Sequence, residues 1–436
     1  MSESESVSMH WQSPISPGIS WYEATVPDRP AYPAMPGSRR ADVAIVGGGY
    51  TGLQAAYNLA KGGADVTLID ACRCGDGASG RNGGQFGTGQ RAWADEAEEV
   101  LGHERAQLLF DMAENAKRYV LDFASAHGID IEFVPGQLSV GHKKSLENDY
   151  RSHVEAMAER FGYPHLSFMG REETASRLGS SHYHFGIRDT GTGHIHPMKL
   201  LVGLAKQAAL AGANLYEQTK ALKVEKKGGA AVIETSRGTI TAERVLIACN
   251  AYIGNLEPVT ASHVMPIRSF IGATPVLTDH PEILPGGESV DDSRFVVRYF
   301  RKSKDGRLLF GGREAYTADN PRDISSHIRR QIREIYPALA NVEITHAWGG
   351  SVGITMPRQP FFREVMPGVT SIGGYSGHGV MLSNYCGKLY ADLALGSATE
   401  LDLLKDLKIP AFPGGTRFRS ALLFLALSWY ALRDRL

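Results

Sequence analysis

Ala41-Asp42-Val43-Ala44-Ile45-Val46 runs directly into Gly47-Gly48-Gly49-Tyr50-Thr51-Gly52, and the reading of that junction decides the fold. The first six residues form a short run rich in Val and Ile, the pattern of a buried parallel strand. Leu53, Ala56, Leu59 and Ala60 then share one face of a helix. Lys61-Gly62-Gly63 ends that helix, and Asp65-Val66-Thr67-Leu68-Ile69 reads as a second strand leading to Asp70. Each part has a physical job. Gly47 permits the tight turn, Gly49 lets the backbone approach a pyrophosphate, and Gly52 lets the helix pack closely on the sheet. The unpaired N–H groups at the helix start, around Tyr50 and Thr51, would donate to the phosphates. Asp70, 18 residues beyond Gly52, stands where a carboxylate would accept hydrogen bonds from the adenosine ribose. The unit predicts a dinucleotide site and leaves open which dinucleotide it takes.

Two further glycine clusters narrow that choice. Gly77-Ala78-Ser79-Gly80-Arg81-Asn82-Gly83-Gly84-Gln85 is too poor in side chains to fill a core. It suits backbone passing close to a flat or charged ligand, with Arg81 a candidate phosphate partner. A flexible surface loop is the alternative. Further on, Val369-Thr370-Ser371-Ile372 reads as a strand, and Gly373-Gly374-Tyr375-Ser376-Gly377-His378-Gly379-Val380 opens a helix reaching about Leu395. This is a second helix start fed by glycine-rich backbone, a device for anions or dipoles. A nicotinamide enzyme does not need two such devices far apart in sequence. FAD, with a pyrophosphate and a separately held ring, does.

The rest of the chain supports an interleaved architecture. Residues from about 97 to 160 read as helical, and His196-Pro197 opens another helix with Pro at its first position. Arg244-Val245-Leu246-Ile247-Ala248 repeats the buried-strand pattern. Phe270 to Leu277, Phe295 to Phe300 and Arg307 to Phe310 read as strands, with a hairpin turn at Lys304-Asp305-Gly306. The expected fold class is α/β plus α+β: a Rossmann-type FAD-binding domain interleaved with an antiparallel-sheet substrate domain. Residues 1–40 form an N-terminal arm. The FAD-binding domain takes 41–96, 180–255 and 345–400, the substrate domain 97–179 and 256–344, and 401–436 forms a C-terminal helical segment.

Composition excludes several classes. The 46 Lys and Arg balance 47 Asp and Glu, so no basic excess exists to bind nucleic acid. Hydrophobic residues at 43% argue against disorder. Four cysteines, Cys72, Cys74, Cys249 and Cys386, are too few for a disulfide framework and are expected to be reduced thiols. No secretory signal is expected in Met1 to Pro17, and the 13 uncharged residues from Ser420 to Leu432 fall short of the roughly 18 that span a bilayer. These features predict a cytoplasmic protein without a transmembrane segment. The Ser420 to Leu432 helix is either a packed element or a weak membrane-surface contact. His182-Tyr183-His184 and His194-Ile195-His196 invite a zinc reading, but a helix entry and loop positions explain them better, and no metal is expected.

The GGGYTG, GASGRNGGQ and GGYSGHGV segments resemble those of D-amino-acid-oxidase-like FAD-dependent oxidoreductases, and the resemblance runs from Trp21-Tyr22 to Trp429-Tyr430. Within that superfamily the chain is most similar to gamma-glutamylputrescine oxidoreductases, through Ser20-Trp21-Tyr22, Ala248 to Tyr252, Met265 to Phe270, Asp305 to Gly312 and Trp348-Gly349-Gly350. The resemblance implies FAD held by Gly47, Gly49, Gly52 and Asp70, then by Ser79, Arg81, Asn82, Gly83, Gly84 and Gln85. It also implies that Gly374, Ser376, Gly377, His378 and Gly379 approach the flavin ring, although His378 could be structural. Two features depart from sarcosine-oxidase relatives. No cysteine lies between Cys249 and Cys386, which excludes a covalent flavin tether there and predicts non-covalent FAD. Met381 stands where those relatives carry a lysine for the substrate carboxylate, a role that Arg91, Arg268 or Arg358 could take instead.

The implied chemistry is hydride transfer from the α-carbon of a small-molecule amine such as gamma-glutamylputrescine to flavin. Imine hydrolysis to an aldehyde follows, with O2 (giving H2O2) or a quinone as acceptor. Arg91, Tyr252 and Trp348 are the candidate substrate-lining residues, and no catalytic base is named. The rivals are a D-amino-acid or N-methyl-amino-acid oxidase or dehydrogenase and, from another class, a non-catalytic flavoprotein subunit of an electron-transfer complex.

Overall fold

The strand expected at residue 41 begins two residues earlier and occupies the middle of a sheet. In a computed structural model, which describes residues 13–315, 323–397 and 400–415, Arg39–Val46 lies between Val66–Ile69 and Gly238–Ile247 and runs parallel to both. Its residues Val43 to Val46 are buried on both faces, which is why they read as one continuous apolar run. Across this first sheet the order is Phe361–Met366, Val369–Gly373, Gly238–Ile247, Arg39–Val46, Val66–Ile69 and Asn214–Tyr216. Ala221–Lys227 and Ala230–Thr235 extend from Gly238–Ile247 as an antiparallel ribbon. The helix Tyr50–Lys61 covers the sheet, with Leu53, Ala56 and Leu59 fully buried, and packs on the helices Gly379–Ala394 and Pro197–Leu210.

The second sheet runs in the order His346–Ile354, Met265–Val276, Arg307–Ala315, Tyr299–Lys302, Ser289–Asp292, Val134–Gly141, Phe185–His194 and Leu166–Met169. Its pairings are antiparallel except that of Ser289–Asp292 with Val134–Gly141, which is parallel. The α/β plus α+β class therefore holds: a parallel dinucleotide-type sheet and a mainly antiparallel one, built from alternating pieces of the chain.

Four local expectations change. Phe185–His194 and His346–Ile354 fall within the segments 180–255 and 345–400 assigned to the cofactor domain, yet both pair in the second sheet. Strand patterning reports burial and not the partner strand. The region 97–160 is not continuously helical, because Val134–Gly141 separates the helices His103–Ala126 and Glu147–Glu159. Pro135 and Gly136 break the helical pattern there, and Gly136, at φ +97°, sits where the pairing with Phe185–His194 shifts register. Phe295 to Val297 are not in a strand. The Asp292 carboxylate accepts the backbone N–H groups of Arg294 and Arg298, and this holds the intervening residues as a loop.

The N-terminal arm is packed rather than free. Ser20 caps the short helix Trp21–Ala24, and Trp21 and Tyr22 are buried. Behind them the buried Arg29 bridges Glu23 and Asp76 and also donates to the carbonyl of Cys74. This ion cluster ties the arm to the loop that follows the second strand. Among the described residues no helix is long and apolar enough to cross a membrane. The expected Ser420 to Leu432 helix lies outside the described residues.

Removing the cation would leave Glu23 and Asp76 buried with too little positive charge. Arg29→Met is therefore expected to lower the unfolding free energy by about 3–5 kcal/mol, measured as a midpoint shift in urea. A shift below about 1 kcal/mol would show that the cluster does not hold the arm.

Candidate active site

Both glycine-rich helix starts open onto one cavity of about 660 Å³, within the range of small-molecule and cofactor sites. At the first, Gly47 adopts φ +116°, which glycine tolerates and other residues rarely do. A Cβ on Gly52 would come within 1.9 Å of the Gly47 carbonyl oxygen, so the helix can approach the strand only with glycine there. Gly52 thus stands behind the cavity, while Gly47, Gly49, Tyr50 and Thr51 line it. The Tyr50 N–H donates to the Ser79 hydroxyl at 3.1 Å, which joins the second glycine cluster to the helix start.

Asp70 lines the same cavity and is held by two backbone donors, Gly48 N–H at 2.7 Å and Cys72 N–H at 2.8 Å. Burial outweighs these bonds and pushes its carboxyl from the ordinary 3.8 up to about 6. The carboxylate is thereby oriented with acceptor capacity to spare for a ligand hydroxyl.

At the second helix start, Gly377 and Gly379 border the cavity, and a Cβ on Gly377 would meet nothing within 4 Å. Gly374 does not border it: a Cβ there would lie 2.5 Å from Thr355, and its N–H donates to Asn250 Oδ1 at 2.8 Å. Ser376 accepts from the Thr355 N–H and donates to the Gly374 carbonyl, which holds this loop closed. His378 is kept neutral, its imidazolium pushed down to about 3 by burial and then by the charge of Arg91. Its buried Nδ1 has no hydrogen-bond partner among the described residues.

A second chamber of about 200 Å³ adjoins the first and shares its wall, with Ala78, Asn82, Val352, Ser376, Gly377 and Val380 facing both. Arg91, Gln137, Asp291, Tyr299, Arg358 and His378 line the second chamber alone. Asn82 braces the loop by donating to the carbonyls of Ala78 and Ser79 and accepting from the Gly84 N–H. Gly83 and Gly84 have no room for a Cβ, the first against Tyr299 and the second against the Ile195 carbonyl. Gln85 donates to the Val290 carbonyl and so fastens the loop to the second sheet.

This constellation of a strand–glycine turn–helix, a ribose-type carboxylate and a joined second chamber agrees with the family comparison. The family described as DAO, FAD dependent oxidoreductase, matches residues 42–393. The chain belongs to this family. Among its relatives is a probable oxidoreductase, OrdL, of Rhizobium meliloti (strain 1021), 87% identical over 98% of this chain and 100% of that protein. The gamma-glutamylputrescine oxidoreductase of Escherichia coli (strain K12) is 32% identical over 96% of this chain and 98% of that protein. The crystal structure of glycine oxidase from Geobacillus kaustophilus covers 85% of this chain and all of its own with a TM-score of 0.73, a likeness of fold at 24% identity.

The residues present fit the cofactor of the DAO family. The N–H groups of Gly49 and Thr51 could hold a pyrophosphate, Asp70 a ribose, and Gly377 leaves backbone open at the shared wall. Three sequence expectations need correction. Arg81 is not a free phosphate partner: its guanidinium donates to the carbonyls of Gly349 at 2.6 Å, Pro17 at 2.6 Å and Gly18 at 2.8 Å. Tyr252 lines the first chamber and not the second, where its hydroxyl accepts the Ser351 N–H and pairs with Ser16. Trp348 lines neither chamber. It is fully buried, edge-on to Tyr22, and its indole N–H donates to the Arg81 carbonyl. Of the proposed substrate-lining residues only Arg91 reaches the second chamber.

Of the arginines offered in place of a lysine at 381, Arg91 and Arg358 line that chamber and Arg268 does not. Met381 is buried in the core. His196 caps its helix by accepting the Lys199 N–H, and among the described residues no group of three or more metal-type side chains is assembled. Sequence reading missed Asn250, Gln137, Asp291 and Tyr299. Only Asn250 left a signal: it follows a buried strand directly, in a turn, and adopts φ +46°.

Asp70 gives a pH test. Its proton is held more tightly in the folded than in the unfolded chain, so the stability it contributes is complete below about pH 4 and lost as pH rises through about 6. Asp70→Asn is expected to flatten that part of the apoprotein's melting profile and to weaken FAD binding about tenfold or more. An unchanged profile with unchanged FAD affinity would remove Asp70 from the site.

Proposed function

We propose that this protein binds FAD non-covalently and oxidises the C–N bond of an amine, with gamma-glutamylputrescine as substrate. The carrying observation is the shared wall between the chambers: ligands in the two would meet at Ser376, Gly377 and Val380. The relative from Escherichia coli supplies the substrate class. Non-covalent binding is supported by the lining of the second chamber, where no cysteine is found among the described residues.

FAD, when bound, supplies a two-electron acceptor for hydride from the carbon beside the amine nitrogen. The chain's own residues then bind, orient and desolvate. The helix start at Gly49 to Thr51 would hold the pyrophosphate end and Asp70 the ribose. Tyr299, whose hydroxyl bonds to Ser269, and the loop residues Phe295 and Val297 line the second chamber and restrict water there. Arg91 and Arg358 stand in that chamber with the carboxylate of Asp291, and a positive charge near the reacting nitrogen favours the neutral amine that can lose hydride. Neutral His378 adds no charge at the wall. Hydrolysis of the imine in water gives the aldehyde, and O2 or a quinone takes the electrons.

The two arginines also favour a second reading, oxidation of a D-amino or N-methyl-amino acid through its carboxylate. One experiment separates these. Purified holoprotein is precipitated with acid, and a second sample is mixed anaerobically with gamma-glutamylputrescine, putrescine, D-alanine or sarcosine. The expected results are flavin released to the supernatant and the visible absorption band of the oxidised flavin bleached by gamma-glutamylputrescine. Bleaching by the amino acids alone would establish the second reading. No bleaching by any of them would leave a non-catalytic flavoprotein.

A further inference from the structure

We propose that Asp291 and Arg91 form a recognition site for a zwitterionic α-amino-carboxylate head. Asp291 takes the ammonium group and Arg91 the carboxylate, so that the nitrogen oxidised lies at the other end of the substrate. The inference deepens the amine-oxidation reading and rests on it for the chemistry, though not for the binding.

The strand Ser289–Asp292 lies between Val134–Gly141 and Tyr299–Lys302, with Asp291 opposite Ser139 on one side and Tyr299 on the other. Alternation along the strand turns Val290 and Asp292 away. Val290 joins the apolar core, and Asp292 is buried against Arg294 and Tyr183. Asp291 is left to line the second chamber. Its carboxylate is fixed from one side only: Oδ1 accepts both Ser139 Oγ at 2.7 Å and Gln137 Nε2 at 3.0 Å. Oδ2 has no hydrogen bond among the described residues. A strand carboxylate so oriented, with one free oxygen in a cavity, is an acceptor awaiting a cation.

Arg91 lines the same chamber from the loop that precedes the helix Ala94–Leu101. It makes no hydrogen bond or ion pair among the described residues, with Asp291 or any other group. Their charges nevertheless act on each other. Burial raises the affinity of Asp291 for its proton, and Ser139, Gln137 and then Arg91 oppose that rise. Two opposite charges that line one chamber without pairing both carry a desolvation cost. A ligand with an ammonium and a carboxylate on one carbon relieves both at once. An amine alone would satisfy only Asp291, and a simple acid only Arg91.

Position fixes the polarity of binding. Asp291, Arg91 and Gln137 border the second chamber and not the first, whereas Ser376, Gly377 and Val380 border both. A head held at Asp291 and Arg91 therefore sits outside the first chamber, and a tail extending past the shared wall meets the ligand there. An α-amino acid oxidised at its own α-carbon needs the opposite placement. The substrate class assigned is an amino acid whose side chain ends in a primary or secondary amine, of which a gamma-glutamyl diamine is one.

The test uses the reconstituted holoenzyme and Asp291→Asn, which keeps an oxygen for Ser139 and Gln137 and removes only the free anionic oxygen. Arg91→Gln is the second variant. Calorimetry on the enzyme with its flavin already reduced, so that no ligand is oxidised, measures three ligands: gamma-glutamylethylamide, the glutaric acid monoethylamide that lacks its ammonium, and the 4-aminobutyric ethylamide that lacks its carboxylate. In the wild type the zwitterion is expected to bind at least about tenfold more tightly than either partial analogue. Asp291→Asn should abolish its advantage over the carboxylate-only ligand, and Arg91→Gln its advantage over the ammonium-only ligand. In turnover, Asp291→Asn should raise KM for gamma-glutamylputrescine about tenfold or more, leaving kcat and the KM for glutarylputrescine unchanged. Equal binding of the zwitterion and the carboxylate-only ligand, or equal weakening of both by Asp291→Asn, overturns the proposal. Bleaching by amines without that discrimination defeats the head site alone. Discrimination without bleaching defeats the amine-oxidation reading and leaves the head site standing.

Discussion

No side chain fits at residue 387. A Cβ there would lie 2.3 Å from the Thr51 carbonyl oxygen and 2.9 Å from Gln54, so the helix Gly379–Ala394 presses its backbone onto the first turn of Tyr50–Lys61. Thr51 and Tyr375 join hydroxyls at 2.7 Å across the same seam, and the fully buried Gln54 donates to Asn384. These contacts link parts of the chain more than 300 residues apart in sequence. They set the distance between the two glycine-rich helix starts, and both chambers depend on that distance. Either helix start alone would be an ordinary anion site. Held together, they form one cavity with two ends.

The second sheet supplies the other boundary. Its strands bring Gln137, Asp291 and Tyr299 beside the loop of Asn82 to Gln85, which is fastened to Val290 through Gln85 and packed against Tyr299 through Gly83. Arg81 completes the junction. By donating to three carbonyls of the arm and of the strand His346–Ile354, it staples the glycine loop to the arm and to the second sheet. A residue that looks from its neighbours like a ligand contact is thus a structural cross-brace. The reason is geometric: a guanidinium surrounded by unpaired carbonyls satisfies them before it meets any phosphate. The buried cluster of Arg29, Glu23 and Asp76 repeats the device one layer out.

The first chamber was largely legible before folding. The turn at Gly47, the close packing at Gly52, the cavity-lining backbone of Gly49 and the place of Asp70 all follow from local spacing, because a strand, a tight turn and a helix start are made within a dozen residues. The second chamber was legible on one side only, where Asn82, Gln85, Arg91 and His378 stand. Tyr252 and Trp348 lie close to core strands in the sequence, which suggested a substrate wall, but tertiary packing turned one toward the first chamber and sealed the other in the core. Asp291, on a short strand between Val134–Gly141 and the equally short Tyr299–Lys302, carries no sequence mark of its own.

What the sequence determined by itself is therefore everything governed by short-range geometry: the dinucleotide-type unit, the second helix start, the absence of a cysteine between Cys249 and Cys386, and the mixed fold class. The tertiary structure alone decided which strands share a sheet, which arginine lines the second chamber and which carboxylate faces it. Hydrophobic periodicity records only that a residue is buried. The identity of its neighbour is set by pairings between strands far apart in the chain, and a one-residue change of register would turn Asp291 from the chamber into the core.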